Sequence, residues 1–202
     1  MKHIFLDLLT RYTDKATAET LWHELELAYT HKNRHYHNLE HLKNMFNELN
    51  TVREQITDWD TVLFALFYHD AVYSATKKDN ELKSAKMAIN NLRHIGYDAY
   101  KASYCLDIII ATKEHLFTAN NDINLFNDAD LSILGQPWQV YENYYKNVRK
   151  EYGIYPDMIY NPGRKKALLH FLDMESIFKT EHSKNLYEDA ARLNISKEIM
   201  LL

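Results

Sequence analysis

The sequence predicts an all-α fold, and three observations carry that expectation. The 202 residues hold only four glycines and three prolines, too few to punctuate the many turns of a sandwich or barrel. Apolar residues recur at helical spacing along most of the chain. Hydrophobic residues make up 46% and charged residues 26%, which excludes a disordered chain and supplies apolar surface for a core. The length is about 1.3 times the roughly 150 residues of an average domain, so residues 1–202 are expected to form one domain. No internal repeat, low-complexity segment or linker divides it.

Taken in order, residues 2–12 read as a helix with Ile4, Phe5, Leu8 and Leu9 on one face. Residues 17–29 follow, with Leu21, Trp22, Leu25 and Ala28 at helical spacing, and the polar run from His31 to Tyr36 breaks the pattern. Helix resumes near Asn38 and runs to about Gln55 through Leu39, Leu42, Met45, Phe46 and Leu49. Asp58 suits the N-cap of a helix from Thr61 to about Ala71. That helix is apolar nearly all round (Val62 to Phe67), which places it in the middle of the fold. A loop over 72–78 leads to a helix capped by Asp79, running to about His94 and stopped by Gly96. Residues 98–112 form another largely buried helix and 113–124 read as a polar loop. A short helix carries Asp128 to Leu134 and stops at Gly135, and Pro137 opens a helix to about Tyr152. Two final helices are expected over about 163–173 and 183–199, for about nine in all.

Composition also narrows the function classes. The lone Cys105, set in a buried helix, excludes a disulfide framework and a cysteine-based zinc site and suits a reducing cytoplasm. Asp7 interrupts the apolar run that a signal peptide would need, and no segment approaches the ~18 apolar residues that span a bilayer. Lys and Arg total 24 against 28 Asp and Glu, a net charge of −4. That balance argues against binding a nucleic-acid duplex, which relies on basic groups, but leaves small phosphorylated substrates open where a metal supplies local positive charge.

The chemistry sits in four short segments. His37 and His41 stand at i and i+4 at the start of a helix, a spacing that aims two imidazoles at one cavity. His69-Asp70 ends the most apolar helix, where ionisable groups are costly unless paired or bound to metal. Asp128-Ala129-Asp130 offers either a cap or carboxylate ligands, and Thr112-Lys113-Glu114-His115 follows a buried helix. Two His and two Asp converging on one point would make a mixed N/O set with room for water, suited to Lewis-acid hydrolysis.

The order His, His-Asp, Asp on an all-α frame resembles the HD-domain metal-dependent phosphohydrolase superfamily. Tyr36-His37-Asn38-Leu39-Glu40-His41 is similar to the Tyr-His-Asn-x-x-His signature of its cyclic-nucleotide phosphodiesterase branch, and Ala129-Asp130-Leu131-Ser132 to that branch's final Asp segment. The segments 34–39, 67–73, 79–85, 128–135 and 149–152 also resemble a small bacterial group of predicted HD phosphohydrolases. The likeness covers about residues 31–155. It implies that His41, His69, Asp70 and Asp130 are metal ligands, that His37 is a general acid, and that Glu81 holds a metal-bound water. Asp128, about 200° round the helix from Asp130, is then a cap or a partner of the ligands. Ala71-Val72-Tyr73 replaces the phosphodiesterases' His-Pro-Gly segment, and no glutamine-plus-aromatic purine clamp is evident, which points away from a cyclic nucleotide.

Around that set, Arg34 and Arg149 are candidate phosphate clamps, since a guanidinium matches phosphate oxygens bidentately, and Lys113 is a weaker one. For Arg149 the competing role is a surface ion pair with Glu151. His115 is expected to line the pocket, with Tyr36 and Tyr73 as walls; His31 and His35 read as solvated loop residues. The expected cofactor is a divalent ion (Mn, Fe, Ni, Co, Zn or Mg), with imidazoles tilting the choice towards transition metals. One ion is expected, and extra histidines of the kind that hold a second in some HD proteins are limited here to His94 and His115. The expected function is hydrolysis of a nucleotide or other small phosphate ester by a cytoplasmic monomer or homodimer with no membrane partner. The competing function is a catalytically silent HD-type metal- or nucleotide-binding sensor module.

Overall fold

A computed structural model describes residues 1–202. It contains ten α-helices, two short 3-10 turns and no strand. The helices are α1 (Lys2–Leu9), α2 (Lys15–Tyr29), α3 (Leu39–Thr51), α4 (Trp59–Tyr68), α5 (Asn80–His94), α6 (Ala99–Ala111), α7 (Asn121–Leu131), α8 (Trp138–Glu151), α9 (Asp157–Asp173) and α10 (Glu181–Ile199). The 3-10 turns cover Arg53–Gln55 and Ser132–Gly135. No helix is long and apolar enough to cross a membrane.

Every side chain of α4 from Thr61 to Tyr68 is buried. The helix therefore forms the axis of the larger core, against α1, α3, α5 and α6. Asp58 caps it by accepting the Thr61 N–H, so it begins at Trp59 and ends one residue before His69. A smaller core (Leu131, Leu134, Tyr141, Leu168, Ile177, Phe178, Ala191, Ile195) joins the end of α7 and the 132–135 turn to α8, α9 and α10.

α1 ends at Leu9 rather than at residue 12, and α4 spans Trp59–Tyr68 rather than Thr61 to about Ala71; four further features differ from the sequence-based expectation for local reasons. α3 ends at Thr51, and its expected last turn is the 3-10 turn at Arg53–Gln55. Asp79 does not cap α5; its carboxylate pairs with Lys83 at 3.0 Å, and Asn80 instead exchanges hydrogen bonds with the Ser74 backbone. α9 starts at Asp157, directly after Pro156, and runs through Pro162, six residues ahead of the expected start.

The fourth difference matters most. Part of the expected 113–124 loop is α7, because the Asn120 side chain accepts the Asp122 and Ile123 N–H groups and starts the helix there. α7 is buried from Asp122 to Ala129 despite its polar composition, since its polar side chains bond neighbouring loops. Asp122 accepts the Thr57 and Asp58 N–H groups, and Asn124 exchanges hydrogen bonds with the Thr118 backbone. Asp128 accepts the Lys179 and Thr180 N–H groups at 2.6 and 2.8 Å. Asn127 is the exception, buried with neither amide atom bonded. Asp128-Ala129-Asp130 thus belongs to the C-terminal half of a longer buried helix rather than to a separate short one.

Gly135 fixes how α10 meets this helix end. A Cβ there would stand 2.5 Å from Tyr187 Cβ and 2.8 Å from Tyr187 Cα and O, on α10. Backbone atoms cannot swing aside, so Gly135→Ala is expected to destabilise the fold by about 1–3 kcal/mol, read as a lower thermal midpoint. An unchanged midpoint would contradict this packing.

Candidate metal centre

Three elements bring the ionisable residues together. Asn38 caps α3 by accepting the Glu40 and His41 N–H groups at 2.9 and 3.3 Å. This starts the helix at Leu39, so His41 sits in the first turn and His37 precedes it. The two rings are therefore not stacked on one helical face, as the i, i+4 spacing suggests. They nevertheless lie near one another, with centroids 6.0 Å apart. His69 follows the last turn of α4, and Asp130 lies at the C-terminal end of α7.

The side chains of these elements meet at a point. Nε2 of His41 is 3.2 Å from Nε2 of His69 and 3.2 Å from Asp130 Oδ1. Asp70 Oδ2 is 3.2 Å from His69 Nε2 and 3.8 Å from His41 Nε2. His41, His69 and Asp130 form a group whose ligating atoms all lie within 4.8 Å of one another, and this group can hold a metal ion. Asp70 approaches the same imidazoles from outside that compact trio.

The donor set fits a divalent ion. His69 Nδ1 lies 2.9 Å from the Leu66 carbonyl, so in the neutral ring Nδ1 carries the hydrogen and Nε2 presents a lone pair. Two imidazole nitrogens facing each other need a proton or a cation between them. Ligands about 2.0–2.2 Å from one ion lie about 2.8–3.6 Å apart along the edges of an octahedron or tetrahedron, which the three 3.2 Å separations match.

Electrostatics lead to the same conclusion. Burial pushes the Asp130 carboxyl up, but hydrogen bonds from His115 and His41 outweigh it and hold the group well below the usual carboxylate range. Asp70 is likewise held low, burial being outweighed by the charges of His69, His37 and His41. Burial disfavours the charged His69 ring, yet the Asp70 charge and hydrogen bond push it up to about 9. The centre thus carries ionised acids that demand positive charge, which protons or a cation can supply.

Around this group the structure assigns the remaining residues. His115 Nε2 lies 2.9 Å from Asp130 Oδ2, so His115 orients a carboxylate of the centre from a backbone at φ 49°. His37 Nδ1 lies 2.6 Å from Glu151 Oε2, and Glu151 Oε1 accepts the Tyr36 and His37 N–H groups at 2.7 and 2.9 Å. The Glu151 side chain is fully buried. Burial raises its pKa, but His37 and the two N–H groups outweigh this and bring it to about 2. Burial lowers the His37 pKa, and the charges of Asp70 and Glu151 raise it above its ordinary value. Tyr73 stacks on His37 with centroids 4.2 Å apart, and Tyr36 lies 4.9 Å from the His41 ring, so both wall the site.

Other expected participants serve the frame instead. Arg34 donates through Nη1 to the His37 and Asp70 carbonyls and through Nη2 to the Ala71 carbonyl. It clasps the two histidine-bearing segments together and is not placed as a phosphate clamp. Arg149 binds Asp157 and the Tyr152 and Tyr155 carbonyls, closing the α8–α9 corner; its ion-pair partner is Asp157, not Glu151. Asp128 anchors the start of α10 and makes no contact with the centre. Glu81, in the first turn of α5, makes no hydrogen bond or ion pair with these residues, and Lys113 is exposed.

Sequence reasoning missed Glu151 as a site residue. The signal was present, since a Glu beside a helix-ending tyrosine falls inside the Arg149-Lys150-Glu151-Tyr152 segment that carries part of the family likeness. A cleft of about 180 Å3 opens beside His41 and Asp130. Comparison of the chain with protein-family models, curated proteins and solved structures finds no match.

Proposed function

We propose that the protein is a divalent-metal-dependent phosphohydrolase acting on a small phosphate ester. The observation that carries this is the meeting of His41, His69 and Asp130, with Asp70 beside them, next to a His37–Glu151 pair. The motif likeness to HD phosphohydrolases supports the same reading. His41, His69, Asp70 and Asp130 would hold the ion, and the imidazoles favour a transition metal over Mg. A divalent ion bound there supplies Lewis acidity, lowering the pKa of water and neutralising phosphoryl charge.

The chain's own residues supply the rest. Glu151 holds the Nδ1 hydrogen of His37, which leaves Nε2 as the ring nitrogen free to act. The Asp70 and Glu151 charges outweigh burial and raise the His37 pKa above its ordinary value, which favours the protonated ring that would donate from Nε2. In hydrolysis the oxygen of water would bond to phosphorus as one of its protons passes to solvent, the P–O ester bond would break, and the leaving alkoxide would take the His37 proton, which solvent then restores to the ring. His115 fixes Asp130 so that the ligand set stays in place.

The test is turnover of a panel of phosphate mono- and diesters, nucleotides included, by protein loaded with Mn, Ni, Co, Zn or Mg. Ester cleavage that disappears with chelator and returns with metal is the expected result. Tight metal binding with no turnover of any ester would identify a binding module instead.

A further inference from the structure

We propose that the cleft beside the metal centre is the subsite for the leaving alcohol, and that this alcohol is a small uncharged polyhydroxylated molecule, about one sugar ring in size. This rests on the phosphohydrolase reading and narrows its substrate class. His41 and Asp130 line the cleft, so a molecule seated there borders the point where phosphorus would react; His37 is not part of the lining, so only the ester oxygen, at the end nearest His41, would approach it.

Size comes first. The cleft holds about 180 Å3, below the roughly 300–1,000 Å3 of sites that enclose drug-sized ligands. A sugar ring or short polyol fits within it, whereas a base joined to a sugar would project from its open mouth.

Chemistry comes second. Helix α3 lines the cleft with one face, because His41, Asn44 and Glu48 follow at i, i+3 and i+7. At about 1.5 Å per residue, Asn44 lies about 4.5 Å and Glu48 about 10.5 Å beyond His41 along the helix axis. Asn47, Ser132 and Gln136 add to the polar lining, and Met45, Ile133 and Val140 supply apolar surface on which a sugar ring's C–H face can rest. Each carboxamide both donates and accepts, which matches hydroxyls that do the same. Asn44 and Asn47 spend none of these groups on neighbouring side chains, whereas Glu48 accepts one hydrogen bond from Tyr187 and keeps its second oxygen free.

Charge comes third. No Lys or Arg lines the cleft, and its outer end carries the Glu48 carboxylate. A second phosphate on the substrate would meet that carboxylate without a compensating cation. The substrate is therefore a monophosphate of an uncharged alcohol, and sugar bisphosphates and nucleoside triphosphates are rejected.

The experiment compares kcat/KM of the metal-loaded protein for glucose monophosphate, glucose bisphosphate, ATP and 4-nitrophenyl phosphate. The monophosphate is expected to exceed the bisphosphate and ATP by about tenfold or more. Asn44→Ala should lower the ratio of sugar monophosphate to 4-nitrophenyl phosphate about tenfold, through KM, for the loss of one hydrogen-bonding partner. Glu48→Gln, which keeps an acceptor for Tyr187, should narrow the gap between mono- and bisphosphate. Equal turnover of the bisphosphate or ATP in wild type, or ratios untouched by both variants, would overturn the assignment. If no ester is hydrolysed, 4-nitrophenyl phosphate included, the hydrolase reading fails by itself. Binding of a sugar phosphonate to wild type and Asn44→Ala by calorimetry then decides the cleft: weaker binding by the variant supports it, and equal or absent binding overturns it.

Discussion

His69→Ala is expected to weaken metal binding more than about 100-fold and to reduce turnover to background. That cost exceeds what is typical for losing a residue that merely supports a ligand. His69 is 1% exposed just beyond α4, whose side chains are buried from Thr61 to Tyr68, so water cannot easily replace its ring. Its Nδ1 is fixed by the Leu66 carbonyl, which aims Nε2 at the centre before any ion arrives. Removal leaves His41 facing the carboxylates of Asp70 and Asp130 alone. His41→Ala should behave in the same way, from a different helix. Metal content by elemental analysis and turnover should therefore fall together in both variants, and full metal content in either would remove that residue from the ligand set. Circular dichroism separates loss of metal from loss of fold.

His37→Ala, by contrast, is expected to keep its metal and lose turnover by about 10²–10⁴-fold. The loss should be smallest for esters with good leaving groups, which need no proton. Glu151→Gln tests how the acid is held. Burial lowers the His37 pKa, and the Asp70 and Glu151 charges raise it, so the acid form persists above the ordinary value of 6.5. Activity that needs this proton falls as pH rises through the raised pKa. Removing the Glu151 charge should move that alkaline limb to lower pH. A limb that stays in place would mean that His37 does not donate the proton. The same pair affects stability. Glu151 is lowered from 4.5 to about 2, so its contribution is present above pH 4.5 and lost towards pH 2. The His37 contribution is present below pH 6.5 and lost as pH rises through its raised pKa.

The all-helical frame was legible because its cause is local. The apolar run from Val62 to Phe67 and the caps at Asn38 and Asp58 act within a few residues, and both helices form there, although α3 stops at Thr51 and α4 at Tyr68, earlier than the pattern suggests. The first half of α7 was harder to read, because Asp122 and Asn124 look like loop residues until the backbone groups they bond are known. The trio His41, His69 and Asp130 was readable from motif order, and a rotation argument separated Asp130 from Asp128. The two arginines show the limit of such reading. A guanidinium that can grip phosphate can equally grip carbonyls, and only the fold shows that Arg34 holds the Asp70 and Ala71 carbonyls and Arg149 the α8–α9 corner. Glu151 was hidden for the converse reason. A carboxylate near Arg149 in sequence reads as its ion-pair partner, yet the chain turns it inward by 114 positions to His37.

Whether His41, His69, Asp70 and Asp130 form one divalent-metal site is decided by equilibrium dialysis of purified, chelator-stripped protein against Mn or Ni. Saturation at about one ion per chain is expected in the wild type, and loss of that binding when both His41 and Asp130 are replaced by Ala, on a fold that circular dichroism shows to be intact. No saturable binding by the wild type, or binding that survives in the double variant, would contradict it.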